Sequence, residues 1–186
     1  MPVFGVTGRR VEGIAVPVTI STASGGQRQA NVEWWKYLES SPGPKVVVAF
    51  DRNPMPGSGA ACGRLTAHVL RALGCIGYIT NGYIRDPASL GTLSVFAAGV
   101  TLRHGDPHVV SWGEPVTVGG MRVSQGDWLV ADEEGAIVFP RAWLQDLPAA
   151  LGAVSKRIDP VLDYCRKPGA TAEHIARLLA QGEPTK

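Results

Sequence analysis

Arg85 and Asp86 sit side by side in the loop sequence NGYIRD, and each has a chemistry to offer. Arginine grips a carboxylate through two parallel hydrogen bonds, and aspartate can bind a hard cation or hold an arginine. Upstream, Gly63 presents no side chain to an approaching ligand, and the amides of Arg64, Leu65 and Thr66 follow it at the start of a predicted helix, where they point outward unpaired. The helix dipole adds roughly half a positive charge there, so the position favours an anion. Arg64 stands in that first turn although a base is disfavoured there by about 0.3–1 kcal/mol. One carboxylate, two arginines and a helix N-terminus describe a pocket for a small acid. The same Arg-Asp pair in a loop is also the composition of a surface ion pair.

These groups need elements to bring them together. Alternation from Gly13 to Ala23 predicts a half-buried strand, and GGQRQAN is a loop. NVEWWKYLESS predicts a short helix capped by Asn31, with Trp34, Leu38 and Trp35 on its inner face. Val46–Phe50 is a continuous apolar run of the kind buried on both faces of a sheet. Leu65, Val69, Leu70 and Leu73 recur at helical spacing, and Gly74 is placed to stop that helix in a left-handed conformation. CIGYIT is a second buried strand, PASLGTL a short helix opened by proline, and Val95–Leu102 a further strand. Two strands joined by one helix imply a right-handed crossover, which brings their carboxyl ends to one edge of the sheet. The loops Asp51–Gly63 and Asn81–Asp86 are thereby expected to face one another, where ligands bind in open α/β sheets.

Gly119-Gly120 between alternating segments signals a hairpin, and SQGD and DEEG are further turns, so Val116–Phe139 is expected to form a meander of about four strands. Arg141–Gln181 is helical in pattern, broken at Lys167-Pro168-Gly169. The whole is an α/β chain with a central sheet, a β-meander and C-terminal helices. Its 186 residues suit a single domain, 1–186, with 141–186 a helical tail.

The net charge of +2 is spread without a basic run or interleaved aromatics, so no nucleic-acid footprint is expected. No apolar run approaches the ~20 residues that span a bilayer, and MPVFGVTGRR lacks the order of a signal peptide; the expectation is a cytoplasmic protein without a membrane partner. Cys62, Cys75 and Cys165 show neither an even count nor CxxC spacing, and they read as buried small hydrophobes in a reducing compartment. His104 and His108 flank a proline-containing turn and lack the helical i,i+4 presentation of a metal pair; Asp132, Glu133 and Glu134 read as turn residues. A Walker loop, GxGxxG and GxSxG are all missing, which argues against nucleotide-dependent and serine-hydrolase chemistry.

GRLTAHVLRALGCIGYITNGYIRDPASL and HVVSWGEPVTVGGMRVSQGDWLVADEEGAIVFPR, in this order and spacing, resemble the family of the regulator of ribonuclease activity A and the 4-hydroxy-4-methyl-2-oxoglutarate aldolases, often mislabelled as demethylmenaquinone methyltransferases. The resemblance covers Gly13 to Pro140, about two-thirds of the chain. It implies a swivelling β/β/α-type domain assembled as a homotrimer or a dimer of trimers, with the ligand site in a cleft between subunits. It also implies a lyase that releases pyruvate from a small 4-hydroxy-2-oxo acid, with possible oxaloacetate decarboxylase activity. Both reactions pass through a pyruvate enolate stabilised by a divalent metal, magnesium or manganese. The family commonly has helices before its first strand, which begins here by about Gly13.

The lyases of this family carry an acid, twenty intervening residues, then Arg-Asp. By that resemblance Arg85 is the catalytic arginine that orients carboxylate and enolate oxygens, Asp86 the metal ligand, and Gly63, Arg64, Leu65 and Thr66 the substrate-binding turn. Counting back over Leu65–Ile84 reaches Arg64 where the acid is expected. A guanidinium there shifts the local charge by two units and disfavours a nearby cation. The intact Arg85-Asp86 pair points to a carbon-carbon lyase. Arg64 points to the alternative, a non-catalytic regulatory or carboxylate-binding trimer.

Overall fold

In the computed structural model the described residues are 4–5, 7, 10–23, 28–55 and 57–181. The chain divides into two compact units, Met1–Arg141 and Ala142–Lys186.

The first unit is built on a curled sheet. Its strands are β1 (Phe4–Gly5), β2 (Val11–Ser21), β3 (Lys45–Asp51), β5 (Cys75–Thr80), β7 (Ser94–Ala97), β9 (His108–Trp112), β12 (Trp128–Asp132) and β13 (Gly135–Phe139). They run in the order β1-β7-β5-β3-β2-β12-β13, with β9 also paired to β2. The central pairs β2/β3, β3/β5 and β5/β7 are parallel, and the flanking ones are antiparallel. β3 explains why its sequence is continuously apolar: Val47 and Ala49 enter the core on one face, and Val46 and Val48 enter the core on the other.

Helices cover one face and a hairpin the other. On the first lie α1 (Arg28–Ser40) and α2 (Arg64–Ala72), which contribute Trp34 and Leu38, then Ala67 and Leu70, to the core. On the second, β10 (Val116–Val118) and β11 (Met121–Val123) fold about Gly119-Gly120 with Val118 opposite Met121. Val116, Val118 and Val123 pack there with Leu129 and Phe96. This layering is the expected mixed α/β architecture, and the four meander strands fall between Val116 and Phe139.

Several boundaries differ from the pattern-based reading. Asn31 lies inside α1, not at its cap, and its Oδ1 accepts a hydrogen bond from the Val109 amide at 2.9 Å, tying the helix to β9. Trp35 faces outward, 37% exposed. Leu65 is 78% exposed, because α2 turns Ala67 and Leu70 to the sheet and leaves the first-turn leucine outside. The helix expected at PASLGTL contracts to one 3-10 turn, Pro87–Ser89. The expected strand Val95–Leu102 divides at Ala98 between two sheets: after β7 the chain enters β8 (Gly99–Val100), which pairs in parallel with β6 (Tyr83–Ile84) and through it with β4 (Ala60–Cys62). Gly74 does adopt φ 80° at the end of α2. Among the described residues no helix is long and apolar enough to cross a membrane.

The second unit holds α3 (Leu147–Cys165) and α4 (Ala172–Gln181). Pro160 lies inside α3, where the pattern gave no break. The Tyr164 hydroxyl accepts from the Thr171 amide at 3.2 Å and its ring stacks on His174 at 4.2 Å, which closes the turn between the helices. Cys165 is exposed, against the expectation of three buried cysteines.

Burial pushes the Cys62 thiol up to about 12 and the Cys75 thiol up to about 11, the latter against the opposing pull of Lys45 and Arg71. In the unfolded chain both titrate near 9, so above that pH the unfolded state releases protons that the folded state keeps. This contribution to stability is complete below about pH 9 and is lost as pH rises towards 11–12, at up to about 1.4 kcal/mol per pH unit for each thiol. Urea midpoints measured from pH 8 to pH 10.5 are expected to fall, and to fall less steeply in a Cys62→Ala, Cys75→Ala double variant. Equal slopes in the two proteins would refute this origin.

Candidate functional site

The small parallel sheet β4-β6-β8 is what joins the two loops. Cys62 pairs with Ile84, and the Arg85 amide donates to the Cys62 carbonyl at 2.9 Å. The chain turns into α2 directly after Cys62 and into the Arg-Asp loop directly after Ile84. A Cβ built on Gly63 would lie 4.0 Å from the Arg85 Cβ, so the helix entrance and the arginine are immediate neighbours. Gly63, Arg64, Leu65, Thr66, Arg85 and Asp86 therefore share one corner at the carboxyl end of the parallel strands.

Gly63 caps α2 in an extended conformation without a side-chain hydrogen bond. The first bond of the helix runs from the Ala67 amide to the Gly63 carbonyl at 3.0 Å. The amides of Arg64, Leu65 and Thr66 precede it and are the unsatisfied donors of the helix start. With the dipole behind them they attract an anion.

Arg85 is a quarter exposed at its side chain and binds Asp86 Oδ2 through Nε at 3.1 Å. Its two terminal nitrogens keep the parallel fork that suits a carboxylate. Asp86 is held at φ 53°, ψ 56°, the one non-glycine residue with positive φ among the described residues. Its carbonyl accepts from the Ser89 amide at 2.8 Å, so the turn Pro87–Ser89 fixes this left-handed geometry from the far side. Arg64 is exposed, and its guanidinium has no ion-pair or hydrogen-bond partner among the described residues. Only its carbonyl is engaged, with His68 Nδ1 at 2.8 Å. Asp86 thus pairs with its neighbour Arg85, and an ion pair between Asp86 and Arg64 is not formed.

The donor set bears on a divalent ion. Among the described residues no group of three or more His, Cys, Asp or Glu side chains could hold a metal. Asp86 brings one carboxylate, engaged by Arg85, and Arg64 opens the helix that starts at the same corner. One carboxylate with water can hold magnesium, but here that carboxylate is already engaged by Arg85, and a neighbouring guanidinium is unfavourable to a cation. His104 is exposed and His108 Nδ1 donates to the Asp106 carbonyl at 2.9 Å. Asp132 Oδ1 accepts from the Glu134 amide at 2.9 Å, as a turn residue does.

A buried polar network beneath the loops escaped the sequence reading. Asp51, at the end of β3, accepts from the Thr22 hydroxyl at 2.9 Å, the Thr22 amide at 3.3 Å and the Asn53 amide at 3.0 Å. Asn81, at the end of β5, clamps the Asp51 backbone from both sides: its Oδ1 accepts from the amide at 2.7 Å and its Nδ2 donates to the carbonyl at 2.9 Å. Asn53 Nδ2 donates to Thr22 Oγ1 and Ser58 Oγ, both at 2.8 Å. The strand ends that launch the two loops are therefore fixed to each other. The available signal was polar residues directly after two buried strands.

The sheet order and the hairpin layer define an α/β protein of the swivelling β/β/α kind, with the two loops meeting at the carboxyl end of its parallel strands. The chain belongs to the RraA-like family, described as Aldolase/RraA, whose model matches residues 3–138. In solved structures it is similar to an uncharacterized protein from Pseudomonas syringae pv. tomato, with a TM-score of 0.71 at 20% identity, covering 94% of this chain and 79% of that one. It is also similar to RraAS2 of Streptomyces coelicolor, described as an unusual member of the RNase ES inhibitor RraA protein family, with a TM-score of 0.66 at 22% identity, covering 83% of this chain and 78% of that one. In sequence it is 25% identical over 115 residues to Protein DlpA of Legionella pneumophila; the match covers 60% of this chain and 18% of that protein.

Proposed function

We propose that this chain is a metal-independent binding module for small 2-oxo carboxylates. The ligand's carboxylate lies against the amides of Arg64, Leu65 and Thr66, gripped by the terminal nitrogens of Arg85, with the Arg64 guanidinium supplying a second positive charge. The observation that carries this reading is the division of labour between the two arginines: among the described residues the Arg85 side chain commits only Nε, to Asp86, and the Arg64 guanidinium has no partner. The corner keeps a net positive charge, suited to an anion and unfavourable to a cation. The 2-oxo acid class comes from the aldolase side of the family.

Pyruvate is expected to raise the thermal midpoint, with about 2.7 kcal/mol of stabilisation at a hundredfold excess over Kd, equally with and without EDTA. A shift that appears only with added magnesium would overturn metal independence. The Arg64→Glu variant is expected to lose the metal-free shift and regain one with magnesium. If it behaves as wild type, Arg64 is not the deciding residue.

One observation favours a second reading, a carbon-carbon lyase. Asp86 is held in a left-handed backbone conformation beside Arg85, and strained positions of this kind collect at catalytic sites. In that reading Arg85 orients the carboxylate and enolate oxygens while oxaloacetate or 4-hydroxy-4-methyl-2-oxoglutarate yields pyruvate. A coupled pyruvate assay with and without magnesium separates the two: release above the uncatalysed rate establishes the lyase, and its absence leaves the binding module.

A further inference from the structure

A cavity of about 530 Å³ opens between α1 and α2, beside the anion corner. Pockets of 300–1,000 Å³ with mostly apolar walls and few polar groups are the usual size and character of small-molecule sites. Its walls include Val32, Trp34, Trp35, Leu65, Val69 and Val109. Three of these apolar residues meet solvent: Leu65 is 78% exposed, and Val32 and Trp35 are each 37% exposed. Trp34 is buried, yet its indole N–H has no hydrogen-bond partner among the described residues, a rare omission in a native interior.

Position links this cavity to the anion corner. Leu65 and Thr66, whose amides belong to the helix start, also line the cavity, as does Val69 one turn further along. A helix rises 1.5 Å per residue, so Thr66 and Val69 are separated by about 4.5 Å along the axis. That is within reach of a ring carried one methylene beyond the keto carbon. The polar side of the lining holds Asp106 and His108, with Asn31 and Thr66, and the remaining walls are largely apolar, which suits a neutral tail.

We propose that the ligand is an amphiphilic 2-oxo acid, with its carboxylate on the α2 amides and a neutral aromatic or branched alkyl tail in the cavity between α1 and α2. This rests on the carboxylate reading above and adds the substrate class to it. A short dicarboxylic oxo acid would leave the apolar walls uncovered.

Calorimetric titration of the full chain with pyruvate, phenylpyruvate and 2-phenylethanol tests both layers separately. Phenylpyruvate is expected to bind about 10- to 100-fold more tightly than pyruvate, as burial of a phenyl group implies. Val69→Trp, which fills the cavity, is expected to remove this advantage while leaving pyruvate affinity unchanged. Trp35→Ala, a change at a partly exposed helix position, is expected to reduce the advantage several-fold and serves if the tryptophan variant does not fold. Equal affinities for pyruvate and phenylpyruvate, or an advantage that survives both variants, would overturn the amphiphilic ligand and leave the carboxylate site standing. If neither acid binds, the carboxylate site falls and the inference with it. If 2-phenylethanol binds as tightly as phenylpyruvate, the tail alone is recognised and the amphiphilic assignment is refuted.

Discussion

Arg85→Met is expected to weaken pyruvate binding about 100-fold, close to 2.8 kcal/mol, while changing the stability of the ligand-free protein by less than about 1 kcal/mol. The two effects separate because the side chain has two separate engagements. Its bond to Asp86 is a partly exposed ion pair at 3.1 Å, of a kind that contributes little to folding. In the proposed site its terminal nitrogens would supply charge-assisted hydrogen bonds to the ligand, each worth about 1.5–3 kcal/mol. Methionine also leaves Asp86 unpaired next to the bound carboxylate, which adds repulsion. Arg85→Lys keeps the charge without the planar fork and is expected to lose about tenfold. Calorimetry on the three proteins, alongside urea denaturation without ligand, measures both quantities. Binding by Arg85→Met within about threefold of wild type would show that the arginine does not touch the carboxylate.

The corner was legible in the sequence because its parts follow from chain order. Val46–Phe50, the α2 pattern and CIGYIT form a strand, helix and strand, and their crossover brings Gly63 and Arg85 to one edge whatever the details of packing. What did not show was the device that sets their separation. β4, β6 and β8 have two or three residues each, AAC, YI and GV, too short for any periodicity to register. The exposure of Leu65 was hidden for a related reason: helical spacing groups it with Val69 and Leu70, but the sheet is approached through Ala67, whose small side chain lets the helix come close. Local pattern shows that a residue is apolar and where it lies on the helix wheel; the neighbouring sheet decides which arc is buried. The exposed leucine is then free to line the cavity beside the anion corner. The Asp86 conformation was equally invisible, since an aspartate before proline gives no sign of positive φ until Ser89 closes the turn behind it.

Asp51→Ala is expected to be the most destabilising single change at this edge of the sheet, by about 3–5 kcal/mol, a large part of the 5–15 kcal/mol that holds an ordinary domain together. Asp51 is 8% exposed and Thr22 is 6% exposed, so the three donors that the carboxylate satisfies cannot all turn to water when it is removed. The Thr22 amide, the Thr22 hydroxyl and the Asn53 amide would lose their shared acceptor together. An unsatisfied buried donor costs about 1–3 kcal/mol, and water entering the space left by the side chain recovers part of the sum. Asp51→Asn keeps one acceptor and turns a donor towards donors, so an intermediate loss of about 2 kcal/mol is expected. Urea midpoints at neutral pH decide the matter, and a loss below 1 kcal/mol for Asp51→Ala would mean that the network does not hold the strand ends. The consequence extends to the ligand corner: the loops that carry Gly63 and Arg85 leave the sheet from β3 and β5, and the Asn81 clamp spans those same two strands. Pyruvate affinity of Asp51→Asn, measured well below its melting temperature, is therefore expected to fall several-fold although the side chain lies beneath the loops and outside the carboxylate's contacts.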